Sequence, residues 1–128
     1  MLNIILVGSG GFIGSALRYL IGLGVHSLLR SATFPYGTLA ANLIGCLLIG
    51  LFYGLADERL LFSPQTRLFL LAGILGGFTT FSTFSLDTFT MMRDHDMPAL
   101  ILAALHVFSH VAFGLAAVYV GNWLARVV

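Results

Sequence analysis

The sequence predicts an all-α integral membrane protein with four transmembrane helices, the third broken near its middle. Three observations predict it. The 128 residues are 59% hydrophobic and only 9% charged, where a soluble domain carries about 25% charged residues. Four apolar runs, each near the roughly 20 residues needed to cross a bilayer, are separated by short polar breaks. Inside the third run, Gly76-Gly77-Phe78-Thr79-Thr80-Phe81-Ser82-Thr83-Phe84-Ser85 places two adjacent glycines and five hydroxyls where lipid-facing helix is otherwise expected. Irregular backbone at membrane depth is tolerated only where protein buries it or where it lines a wet cavity. This segment therefore reads as part of a pathway.

The four spans are expected over residues 2–25, 38–56, 67–92 and 98–124, within a single domain covering 1–128. The first run has no basic stretch before it and no clear small-residue cleavage site after it, so no signal peptide is expected. It opens with Leu2 to Val7 followed by Gly8-Ser9-Gly10-Gly11-Phe12-Ile13-Gly14, which imitates a dinucleotide-binding turn. Ile13 stands where that motif needs its third glycine, and no acidic residue occurs before Asp57, so a nucleotide site is rejected. The second run follows Arg30-Ser31 and Phe34-Pro35 and carries Asn42 near its start. The third follows Asp57-Glu58-Arg59 and Ser63-Pro64; the fourth follows Arg93-Asp94-His95-Asp96 and Met97-Pro98. Both Ser63-Pro64 and Met97-Pro98 suit helix starts, where proline lacks nothing the first turn needs.

Charge leaves orientation open. All six cations are arginine. Arg59, Arg67 and Arg126 fall on the side of the termini; Arg30, Arg93 and Arg18 fall on the other. The positive-inside rule needs an asymmetry that is missing here. Either copies insert both ways and pair antiparallel, or something other than arginine count sets the orientation. A net charge of +1 argues against a nucleic-acid partner. The single Cys46 cannot form an intrachain disulfide and reads as packing.

Small residues recur four apart: Gly10 with Gly14, Ala41 with Gly45, Gly50 with Gly54, Gly73 with Gly77, Ala117 with Gly121. Such faces let helices approach closely in lipid. Four helices make a thin bundle, so these faces suggest more than one copy; packing within one chain explains part of the pattern equally well.

Ionisable and polar groups inside spans are functional candidates by default. A break at Gly76-Gly77 frees backbone carbonyls for a cation, and a half-helix N-terminus favours an anion. Phe81 and Phe84 lie three apart and share a helix face. Their electropositive ring edges can line an anion path without a trapping charge. Ser82, Thr83 and Ser85 add hydroxyl donors, which otherwise bond back to carbonyls one turn earlier. Asn42 supplies amide donors, or else an interhelical hydrogen bond. Arg18 either snorkels to the interface or concentrates anions at a pore mouth. His106 and His110 lie four apart, a spacing shared by metal ligands and proton relays. Two ligands are weak evidence for a metal, and packing or lining of a wet vestibule remain as alternatives. Asp87 is expected near water or beside an arginine. No nucleophile, base and orienting group converge, so an enzyme is not expected.

Taken with their spacing, these residues resemble the small bacterial fluoride channels of the Fluc family, also called CrcB. The resemblance spans nearly the whole chain. It rests on Gly10-Gly11-x-x-Gly14-x-x-x-Arg18-Tyr19, on Pro35-Tyr36-Gly37-Thr38-Leu39-x-x-Asn42-x-x-Gly45, and most of all on Gly73-x-x-Gly76-Gly77-Phe78-Thr79-Thr80-Phe81-Ser82-Thr83-Phe84-Ser85. The resemblance implies a dual-topology antiparallel homodimer in the bacterial inner membrane, with two fluoride pores and passive export from the cytoplasm. It implies a structural sodium ion at the dimer centre, held by the backbone carbonyls of Gly76 and Thr79, and no organic cofactor. It implies pore residues Phe81, Phe84 and Asn42, a hydroxyl track at Ser82 and Thr83, and Arg18 at the vestibule. The chain departs from the family's pattern at His110, where other members carry a small or hydroxyl residue. Stripping water from fluoride without replacement costs on the order of tens of kcal/mol in a low-dielectric core. Donors must replace that water, and none may bind too tightly for conduction. Two rival readings remain: a proton-coupled anion transporter using His106, His110 and Asp87, and a structural membrane subunit that transports nothing.

Overall fold

A computed structural model describes residues 1–29, 34–58, 61–93 and 96–127. Arg30, Arg59 and the Asp94-His95 pair, which enter the charge count and the loop assignments above, lie outside the described residues. Among the described residues there is no strand, and four helical segments are long and apolar enough to cross a membrane.

Helix α1 runs Leu2–Leu28 and α2 runs Tyr36–Glu58. The third span, Pro64–Met92, is composite. Its first half, α3 (64–78), starts with an α turn at Pro64–Arg67, capped by the Ser63 hydroxyl accepting from the Thr66 N–H at 3.2 Å. It continues as a π-helical stretch, Leu68–Leu75, and closes with Gly76–Phe78. The second half is α4, Phe81–Met92. The last helix, α5, runs Met97–Val127. Within α3, Arg67 donates to the Ala56 carbonyl at the end of α2, satisfying one of the carbonyls that a helix C-terminus leaves open.

The bundle is two tightly seamed pairs, α1 with α3 and α2 with α5. Both seams are glycine seams. A Cβ added at Gly10 would lie 2.6 Å from the Phe69 carbonyl oxygen and 2.9 Å from Gly73 Cα; one at Gly77 would lie 2.5 Å from the Gly11 carbonyl oxygen. A Cβ at Gly14 would overlap the Ile74 carbonyl. Across the other seam, Gly50 faces the Val118 carbonyl, Gly121 the Leu47 carbonyl, and Gly54 the Ala125 methyl. Six glycines of the four-residue pattern, Gly10, Gly14, Gly50, Gly73, Gly77 and Gly121, thus meet partner backbone inside one chain, as helix association in lipid favours, and Gly54 makes room for side chains. Packing within one chain accounts for these contacts.

The third span is broken, and the break falls two residues later than the glycine pair suggests. Gly76 and Gly77 are helical; Thr79 (φ −83°, ψ 157°) and Thr80 (φ −148°, ψ 118°) are extended. Gly77 is there for the seam with α1, and the threonines make the interruption. β-Branched residues suit extended backbone, and Thr80 then caps α4 by accepting from the Thr83 N–H at 3.2 Å. Helix α4 has no buried residue and leans mainly on α5, with lighter contact to α2.

Candidate functional site

The break is held in place by its neighbours on both seams. On α2, Gly45 leaves room for the Thr79 methyl and the Phe78 ring. One turn earlier, Asn42 clasps the Thr80 peptide: the Thr80 N–H donates to Oδ1 at 2.8 Å, and Nδ2 donates to the Thr80 carbonyl at 3.1 Å. Only this amide orientation satisfies both groups. Because the Thr80 N–H goes to Asn42, it is not available to the Gly76 carbonyl four residues back, and Gly76 is exposed on the chain surface. On α1, the Arg18 guanidinium donates to the Thr79 carbonyl at 3.3 Å.

Hydroxyls gather on the far side of the break. The Thr80 hydroxyl donates to Thr83 Oγ1 at 3.1 Å and sits 3.3 Å from Ser82 Oγ. Ser82, Thr83 and Ser85 are exposed on the single chain, and Ser85 bonds back to the Phe81 carbonyl at 2.9 Å. Arg18, Tyr36, Thr38, Thr80, Thr83 and Asp87 line an open cavity of about 570 Å³ between α1, α2 and α4. Asp87 accepts the Thr38 hydroxyl at 2.7 Å within it. The cavity therefore joins the cationic Arg18, the anionic Asp87 and the hydroxyls of the break.

Phe81 and Phe84 pair with ring centroids 5.6 Å apart and planes tilted by 44°. Phe81 is 79% exposed. Phe84 is half-buried because two imidazoles of α5 lie against it, His106 at 5.2 Å and His110 at 4.6 Å between centroids. The Phe34 ring meets His106 edge-on at 5.4 Å. His106 is wholly buried, and its Nδ1 lies 3.0 Å from Thr88 Oγ1. His110 Nδ1 lies 3.0 Å from the His106 carbonyl. Cys46 is half-buried, with its sulfur facing Gly114.

Of the expected site residues, the structure gathers Asn42, Ser82 and Thr83 around Thr80, and Phe81 with Phe84 one helical step away. Arg18 lines the cavity mouth and reaches the break itself. Sequence reasoning missed the centrality of Thr80, the Thr38–Asp87 bond, and the role of Thr88 in seating His106. The first has a local signal: Thr80 stands three residues before Thr83, the spacing of an N-cap. The other two join residues far apart in the chain and leave no local trace.

The oxygen donors at the break bear on a cation. Backbone carbonyls are neutral, hard ligands suited to a hard ion. Gly76 offers a carbonyl free of the Thr80 N–H on an exposed surface, while Thr79 shares its carbonyl with Arg18. Among the described residues no cluster of three or more His, Cys, Asp or Glu could hold a metal.

Comparison with known proteins gives one consistent picture. The family described as CrcB-like protein, Camphor Resistance (CrcB), matches residues 5–122. The fluoride-specific ion channel FluC of Agrobacterium fabrum is 47% identical over 126 residues, covering 98% of each chain. The fluoride-specific ion channel FluC 3 of Methanosarcina barkeri is 44% identical over 125 residues, covering 98% of this chain and 91% of its own. The fluoride-specific ion channel FluC of Chlorobaculum tepidum is 44% identical over 126 residues, covering 98% of this chain and 96% of its own.

Proposed function

We propose, from the premise that this chain belongs to the CrcB family, that it is a fluoride-selective ion channel, a multi-pass protein of the plasma membrane and not an enzyme. The observation that carries this reading is the broken third span, with the Phe81–Phe84 pair on one side of the break and the Asn42 clasp on the other. Relatives that match nearly end to end and are named fluoride-specific channels supply the ion.

Fluoride, stripped of water, needs donors that do not trap it. Here Asn42 keeps one amide hydrogen beyond its bond to the Thr80 carbonyl, and the hydroxyls of Ser82 and Thr83 gather at the Thr80 hydroxyl. The ring edges of Phe81 and Phe84 extend the path with partial positive charge. Arg18 at the cavity raises the local anion concentration without standing among the donors. Flow down the gradient needs no moving part, so passive export follows.

The finer assembly is part of the same proposal. Exposed Ser82, Thr83 and Ser85 at membrane depth call for a protein or water partner. A second copy in antiparallel orientation supplies one, and an even arginine count suits insertion both ways. Two pores per dimer follow from that symmetry. The carbonyls of Gly76 and Thr79 would hold a structural sodium ion between copies, each copy giving two oxygens. Bound there, the ion would tie the two breaks together.

The test is passive fluoride efflux from liposomes holding only this purified protein, with chloride-loaded liposomes and Phe81→Ile in parallel. Fast fluoride release without chloride release, slowed in the variant, is the expected result. No fluoride release from demonstrably folded protein sinks the channel reading in favour of a coupled transporter or a structural subunit.

A further inference from the structure

Two imidazole nitrogens stand out as buried polar atoms that the pathway above does not use. Nε2 of His106 and Nε2 of His110 are both shielded and have no hydrogen-bond partner among the described residues. An unpaired buried polar atom calls for an explanation. The network assigns their protonation. A backbone carbonyl only accepts, so His110 Nδ1, 3.0 Å from the His106 carbonyl, carries a hydrogen. The Thr88 hydroxyl spends its hydrogen on the Phe84 carbonyl at 2.8 Å, so it accepts from His106 Nδ1. In the neutral state both rings therefore keep their hydrogen on Nδ1 and present a bare lone pair at Nε2. Two lone pairs on rings 4.4 Å apart, both against Phe84, repel an anion.

One proton reverses this. It turns an Nε2 lone pair into a charge-assisted N–H donor beside the phenylalanine pair. We propose that His106 and His110 form a proton-linked fluoride subsite at Phe84, into which a proton and a fluoride ion enter together. The proton comes from solvent and stays on the imidazole, so no bond other than Nε2–H forms, and the pair as bound is electrically neutral. Neutrality matters because an unpaired charge in a low-dielectric site is strongly disfavoured, whereas a contact ion pair with its hydrogen bond is not. A metal is the poorer occupant, since two ligands without a third leave its shell mostly unfilled.

Titratable and charged groups approach the dyad from three helices. On α4, Asp87 is the acidic group that faces His106, and its Oδ2 is already held by Thr38 of α2. Also on α2, the Cys46 thiol lies beside Gly114, one turn past His110. Phe34, edge-on to His106, carries Tyr36 on its other side at 4.8 Å. Arg18 of α1 is committed to the Thr79 carbonyl. Asp87 makes no hydrogen bond to either imidazole, and both Nε2 atoms are left without a protein partner among the described residues.

The subsite rests on the channel reading, and two measurements keep the two apart. The first is fluoride efflux from proteoliposomes at about pH 8, 7 and 6, the range over which imidazole titrates, with the leak of protein-free liposomes subtracted. Wild type should release fluoride several-fold faster at the acid end than at the alkaline end. The ratio should fall to about one in His106→Gln/His110→Gln, and part-way in His110→Gln, which alters only the half-buried ring and leaves the His106–Thr88 bond in place. The second is proton uptake when fluoride is added to the detergent-solubilised protein in weak buffer. Uptake is expected in wild type and should be lost in the folded double variant; this readout does not depend on conduction. Where fluoride is released, a flat wild-type profile or an acid rise that survives both substitutions overturns the subsite, and fluoride addition without proton uptake overturns it in any case. If efflux is absent at every pH while fluoride-linked proton uptake persists, the subsite stands and the channel reading falls.

Discussion

Asn42 and Thr80 hold each other by two hydrogen bonds, 2.8 Å from peptide N–H to amide oxygen and 3.1 Å from amide nitrogen to peptide carbonyl. A side-chain amide thus stands in for the backbone partner that the third helix gives up where it breaks. Replacing Asn42 with Ala would leave a buried N–H and C=O unpaired, at about 1–3 kcal/mol each. The expected outcome is a clear drop in the melting temperature of the solubilised protein together with loss of fluoride efflux. Asn42→Asp keeps the acceptor but loses the donor, so it should recover part of the stability and none of the flux.

Phe81 is highly exposed on the single chain, so Phe81→Ile should leave the fold intact. Loss of its ring edge should slow fluoride release by about tenfold, the equivalent of about 1.4 kcal/mol of aromatic contact. Phe84→Ile should be worse on both counts, because the same ring seats His106 and His110. Efflux traces and thermal melts taken side by side would separate the two effects.

Thr88 is a positioning residue for the histidine pair. Thr88→Val keeps its shape and removes the oxygen that fixes the His106 hydrogen on Nδ1. About 1 kcal/mol of stability should be lost with that bond. The nitrogen chemical shifts of His106 should then report a mixture of tautomers, and the pH profile of efflux should flatten, while Ser at this position should restore both.

The glycine seams make an unequal forecast. Gly14→Val would drive a side chain into the Ile74 carbonyl, and no flexible neighbour can give way there. Little monodisperse protein should be recovered. Gly24→Ala meets nothing within 4 Å in the chain and should purify in normal yield. Size-exclusion profiles of the two variants check this directly.

The four helices were legible because the hydrocarbon core sets a length and a composition that soluble sequence rarely satisfies. That the third helix is interrupted was legible because hydroxyls and glycines are out of place in a lipid-facing span. Where the helix breaks was not: Gly76-Gly77 looks like the weak point, but Gly77 packs on Gly11, sixty-odd positions away on α1, and both glycines are helical. The same distance hid the Asn42–Thr80 clasp, which joins residues 38 apart. The histidine spacing was visible and its meaning was not, because the tautomers depend on Thr88 and on a carbonyl that only the folded chain brings to hand.

The two seams also divide the chain by how freely it can change. Their contacts are made largely by backbone against backbone, so drift at a seam glycine is punished whatever residue replaces it. Helix α4 has no buried residue and contributes mostly side chains to its surroundings. Mutations at its exposed positions, away from Phe84, Asp87 and Thr88, can re-tune which ion passes, or under what conditions, without reopening the question of whether the chain folds. A library randomised over Ser82, Thr83, Ser85, Leu86, Phe89 and Thr90 on the fixed scaffold would be the natural place to look for altered selectivity, and the same freedom gives natural variation room to adapt one architecture to different acidities.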